Sequence, residues 1–120
     1  MSRRPYAHAA VLDLDPTGDD SAPGAAITMA LCGSWSHEPP CPLAPHHTDA
    51  TRSGSTVALR ILFAAEPADE AEVRRRIDEA LARGQGADPA GAHTSWRLIR
   101  SGPSDVRPGE RAHAQRLTES

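Results

Sequence analysis

The chain reads as an α+β domain, a two-layer sandwich. A mostly antiparallel four-stranded sheet carries one main helix on one face, in the order strand, strand, strand, helix, strand. Three observations predict this. Val57, Leu59, Ile61 and Phe63 line one side of the segment from Thr56 to Ala65, as a half-buried strand requires. Val73, Ile77, Ala80 and Leu81 recur at helical spacing between Pro67 and Arg83. Tyr6 to Asp15 and Thr94 to Ser101 are further alternating segments.

Along the chain, Tyr6 to Asp15 is the first predicted strand, with His8, Ala10, Leu12 and Leu14 on one face and Asp13 and Asp15 on the other. Pro16 to Gly24 reads as a loop. Ala26 to Trp35 is the second predicted strand, because Ile27, Met29, Leu31 and Trp35 alternate with Thr28, Ala30 and Cys32. Ser36 to Ser55 is expected to be irregular, since Pro39, Pro40, Pro42 and Pro45 remove backbone donors and force extended geometry on the residues before them. Thr56 to Ala65 is the third strand.

Pro67 to Arg83 is the helix. Pro67 suits its first turn, Asp69, Glu70 and Glu72 complement the positive end of the helix dipole, and Gly84 suits its stop. Glu70 precedes Arg74, Glu72 precedes Arg76 and Glu79 precedes Arg83 by four residues each, pairs that place the run Arg74-Arg75-Arg76 on a solvated face. Gln85 to His93 is a connection, and Thr94 to Ser101 is the fourth strand, around Trp96 and Leu98. Residues 1–103 form the predicted domain and 104–120 a polar tail, in which Val106 and Leu117 could pin a short helix near Arg107 to Arg116.

The element order is that of a ferredoxin-like sandwich lacking its first helix, an analogy of order that fixes no function. The first three strands would form a meander. The sheet face away from the helix would be semi-apolar, so a homodimer through that face is the expected assembly.

Composition bounds the function. The 120 residues contain no Lys, and 13 Arg against 16 acids leave a net charge of −3, which argues against a nucleic-acid binder. Tyr6, Trp35, Phe63 and Trp96 are the whole aromatic complement, so small aliphatic residues must fill the core and a metal, crosslink or partner is expected to add stability. No apolar run reaches the length of a membrane span, and no signal-peptide pattern follows Arg3 and Arg4. The default expectation is therefore the cytoplasm, with the two cysteines as thiols or metal ligands. A Cys32–Cys41 disulfide is the alternative for an exported chain.

The chemistry concentrates in the Cys/His/Pro-rich loop 32–49. Both cysteines and three of the six histidines fall between Cys32 and His47. Four residues separate Cys32 from His37, three separate His37 from Cys41, and four separate Cys41 from His46. Thiolate sulfur and imidazole nitrogen are the ligands zinc prefers, and copper is the competing ion. The expected ligands are Cys32, His37, Cys41 and His46 or His47, with the other histidine as a supporting partner. The metal would be structural or would form a recognition surface. If one position stayed open, Glu38 could act as the proton-transfer group of a small metalloenzyme. The metal-free alternative is a dimeric interaction module whose proline loop binds a partner. His8 is expected to be a partly buried strand histidine, and His93 and His113 to be solvated. No Ser/His/Asp pattern is visible.

Overall fold

A computed structural model of the chain describes residues 3–32, 44–87 and 92–119. It is α+β, with a five-stranded antiparallel sheet in the order β2-β3-β1-β5-β4. The strands are β1 (Arg4–Leu14), β2 (His46–Ser53), β3 (Thr56–Ala65), β4 (Gln85–Ala87) and β5 (His93–Ser104). The helices are α1 (Ala22–Cys32), α2 (Glu70–Ala82) and α3 (Arg111–Thr118). Short 3-10 turns at Pro67–Asp69 and Pro108–Glu110 lead into α2 and α3.

The segment predicted as a second strand is a helix. Ile27 and Leu31 lie four residues apart, a spacing that satisfies both a strand face and a helix face, so these two could not discriminate. Met29 could: it is half exposed, whereas Ile27 and Leu31 are buried. The Ala-rich sequence favours the helix. Pro23 sits in its first turn, and the Asp19 carboxylate just before it accepts from both the backbone and the hydroxyl of Ser21. With α1 in place, β1 and β2 are joined by a helix and flank β3. A helix thus stands between the first two strands, where the sequence predicts none.

Two strands were not predicted. β2 pairs with β3 from His46↔Phe63 to Ser53↔Thr56, closing a hairpin on Gly54-Ser55. Gly54 has φ +63 and Ser55 does not share that sign, the pattern of a tight hairpin turn with glycine first. β4 adds three residues to the edge of β5.

The core lies between the sheet and the α1/α2 layer. Leu12, Leu14, Val57, Leu59, Ile61 and Phe63 of the sheet are buried against Ile27, Leu31, Val73, Ile77 and Leu81. Trp96 closes it, and its indole N–H donates to the Leu81 carbonyl at 2.9 Å. Gly84, just past α2, has φ +74, and a Cβ built there would lie 2.8 Å from the Trp96 carbonyl oxygen.

The opposite sheet face is not wholly open. α3 packs on β1 and β3 and buries Ala114 over one end of it, where Ala7 and Leu62 are also buried. Arg60 fastens this helix. Its Nε and Nη2 donate to the Glu110 carboxylate at 3.1 and 2.6 Å, Nη1 donates to Ser104 Oγ, and Nη2 also reaches the Asp105 carbonyl. These bonds hold the Glu110 carboxyl below its ordinary range. Arg60→Ala is expected to cost about 2 kcal/mol, the usual worth of charge-assisted bonds in a half-buried pair. Hydrogen exchange should locate the loss at residues 111–118, and unchanged protection there would show that the clamp does not hold α3.

β5 contains a bulge. Val11 pairs with Arg100 but Leu12 pairs with Leu98, so Ile99 is the extra residue. Arg97 and Arg100, three apart, consequently both face away from the α1/α2 layer. Ser101 faces toward it.

Candidate metal centre

Of the residues predicted as ligands, the structure places Cys32, His46 and His47. His37, Cys41 and the candidate base Glu38 lie outside the described residues. Cys32 ends α1 and His46 begins β2, and the fold brings them together, with Cys32 Sγ 3.9 Å from His46 Nδ1. Cys32 is disulfide-bonded, the oxidised form that the sequence reading reserves for an exported chain.

The His46 ring is held on both nitrogens. Nδ1 lies 3.0 Å from the Ala44 carbonyl oxygen, which can only accept, so the proton sits on Nδ1. Nε2 then carries the lone pair and accepts from the Thr28 hydroxyl at 2.9 Å. Beside this pair lies a cavity of about 450 Å³ lined by Asp20, Ser21, Gly24, Thr28, His46 and Thr48, among others. The Thr48 hydroxyl oxygen is buried with no hydrogen-bond partner among the described residues.

His47 goes elsewhere. Successive strand residues point to opposite faces, so His47 projects from the α3 side of the sheet. Its ring centroid lies 4.5 Å from that of His113, and its Nε2 lies 3.1 Å from Asp49 Oδ1. His113, expected to be solvated, is in fact that ring's neighbour. Among the described residues no three His, Cys, Asp or Glu side chains are arranged to hold a metal ion.

A second polar cluster was not anticipated. His8 is fully buried, and its Nε2 lies 2.9 Å from both Asp78 Oδ1 and Ser101 Oγ. Ser101 Oγ in turn donates to Asp78 Oδ1 at 2.6 Å. Arg74 Nη1 donates to His8 Nδ1 at 3.0 Å and to the Ala7 carbonyl at 2.8 Å. The three residue types are those of a hydrolase triad, but the arrangement is not. A triad needs the carboxylate on one ring nitrogen and the serine proton aimed at the other. Here both Asp78 and Ser101 sit on Nε2, the serine proton goes to the carboxylate, and Arg74 occupies Nδ1.

The cluster is a polar tie between β1, α2 and β5. Burial lowers the His8 pKa below its ordinary value, against the opposing pull of Asp78. Arg74 is therefore not on the solvated face predicted for it. Its guanidinium packs 5.2 Å from the Phe63 ring centroid and 5.7 Å from that of Tyr6, while Arg75 and Arg76 do pair with Glu72 on the helix surface.

No helix among the described residues is long and apolar enough to cross a membrane. The chain matches no protein-family model, no curated protein and no solved structure, so its own residues carry the reading of the site.

Proposed function

We propose that the chain is a small transition-metal-binding protein, with zinc the favoured ion and copper the competitor. Cys32 and His46 supply one half of the ligand set, and His37 and Cys41 complete it. The observation that supports this is the 3.9 Å separation of Cys32 Sγ and His46 Nδ1. A sulfur and a nitrogen bound tetrahedrally to one zinc sit about 3.6 Å apart. The imidazole also has its supporting partner ready. With Nδ1 on the metal, the ring proton moves to Nε2 and donates to Thr28 Oγ1, the kind of outer hydrogen bond that orients metal-bound histidines. His47, on the far side of the sheet, is not part of this set. The metal would tie the end of α1 to the start of β2.

Binding requires reduction first. A dithiol reductant gives two electrons and two protons to the disulfide at Cys32 and closes to its own disulfide, and the freed thiols lose their protons on ligation. The test is metal content by mass spectrometry after incubation with zinc, with and without reductant, for the wild type, Cys32→Ser and His46→Ala. About one zinc per chain is expected in the reduced wild type only, with loss in both variants. Cobalt in place of zinc should show a near-ultraviolet thiolate charge-transfer band. A reduced wild type without stoichiometric metal, or uptake unchanged by His46→Ala, overturns the reading.

A further inference from the structure

The sheet face left bare by α3 carries a concave surface of about 600 Å³ whose lining includes Arg60, Arg100 and Arg107 and not one acidic residue. In a chain of net charge −3 this is a local reversal of sign. Glu110 pairs with Arg60 through the clamp described above and also lies within reach of the Arg107 charge, which leaves Arg100 as the charge without an acidic neighbour in the groove. Arg100 is exposed and makes no ion pair among the described residues.

The floor is built from small side chains. Ala9 pairs with Gly102, and Val11 with Arg100, while Ala58 sits opposite Val11 on β3. A Cβ added at Gly102 would meet nothing within 4 Å. The bulge at Ile99 creates this composition, because it turns Arg100 and Gly102 onto this face in place of Ile99 and Ser101.

From these features we infer that the groove binds a small organic anion. The guanidinium of Arg100, supported by Arg107, would engage a carboxylate, sulfonate or phosphate, and Ala9, Val11 and Ala58 would accept its apolar body. A guanidinium presents paired donors that match such anions, and the volume falls within the range of small-molecule sites. This site lies on the opposite sheet face from Cys32 and His46 and does not depend on metal binding.

The experiment is calorimetric titration of the full chain with octanoate, hexyl phosphate and anilinonaphthalene sulfonate, with octanol as the neutral control. Light scattering is run on the same samples. Saturable binding of at least one of the anions is expected, with octanol at least tenfold weaker. Arg100→Glu should weaken the anion at least tenfold without changing thermal stability, and Ala58→Trp should block the groove by filling it. Absence of saturable binding across all three anions, or an affinity that Arg100→Glu leaves unchanged, overturns the inference. A concentration-dependent dimer that Arg100→Glu dissociates would overturn it too, because the occupant would then be a second copy of the chain.

Discussion

Gly84→Ala is expected to destabilise the protein by about 3 kcal/mol, and Gly54→Ala by about 1 kcal/mol or less. Both glycines occupy the left-handed region, at φ +74 and +63, so a side chain strains both alike. Their surroundings differ. At Gly54 the new Cβ meets nothing within 4 Å, whereas at Gly84 it lies 2.8 Å from the Trp96 carbonyl oxygen. That oxygen belongs to backbone that cannot retreat. Trp96 N donates to the Gly84 carbonyl at 2.8 Å, and its indole N–H is tied to Leu81. The alanine must therefore pull the end of α2 away from β5 or break these bonds. Urea denaturation of the two variants measures the contrast. Equal losses would mean that the α2–β5 corner is more yielding than its geometry implies.

His8→Ala is expected to cost about 3 kcal/mol at pH 7.5, through the cavity it leaves and the buried polar partners it strands. The cost should shrink at pH 5.5. The folded-state pKa of His8 lies below 6.5, because burial outweighs the pull of Asp78, and Arg74 adds to the lowering. Above pH 6.5 the ring is neutral in both states and its contribution is complete. As the pH falls from 6.5 toward the lower folded value, the unfolded chain takes up the proton first, and the wild type loses stability that the variant never had. Asp78 and Arg74 are the charged groups facing the ring, and Ser101 is its neutral partner. Denaturation at the two pH values gives the difference. A gap that widens on acidification would show that His8 is charged in the folded protein. Ser101→Ala, which removes a hydroxyl but keeps the ring, should retain most of the pH dependence.

Much of the fold was legible because its periodic segments are long. β1, β3 and α2 appear where Leu12, Leu14, Val57, Phe63, Val73 and Ile77 predict them. The short helix near Val106 and Leu117 forms as well. α1 was misread because Ile27 and Leu31 satisfy two periods at once. β2 was hidden because its eight residues, His-His-Thr-Asp-Ala-Thr-Arg-Ser, hold no apolar stripe at all. Its strand character comes from pairing with β3, which no local pattern displays.

The site followed the same division. The loop composition points to Cys32 with one of two adjacent histidines, but only the strand decides between them, since His46 and His47 face opposite layers. His8, Asp78 and Ser101 are separated by 70 and 93 positions from the first of them, so no spacing motif could announce their meeting.

The bulge at Ile99 gives β5 one residue in reserve. Leu98 opposes Leu12 and Arg100 opposes Val11, so Ile99 is the step that the ladder does not use. A chain lacking it would run on as a regular strand, with Arg100 still in the groove and Ser101 still beside His8. A single lost codon here would thus be absorbed on both sides of the sheet, which makes this position a natural place to look for a difference of one residue in length in any related chain.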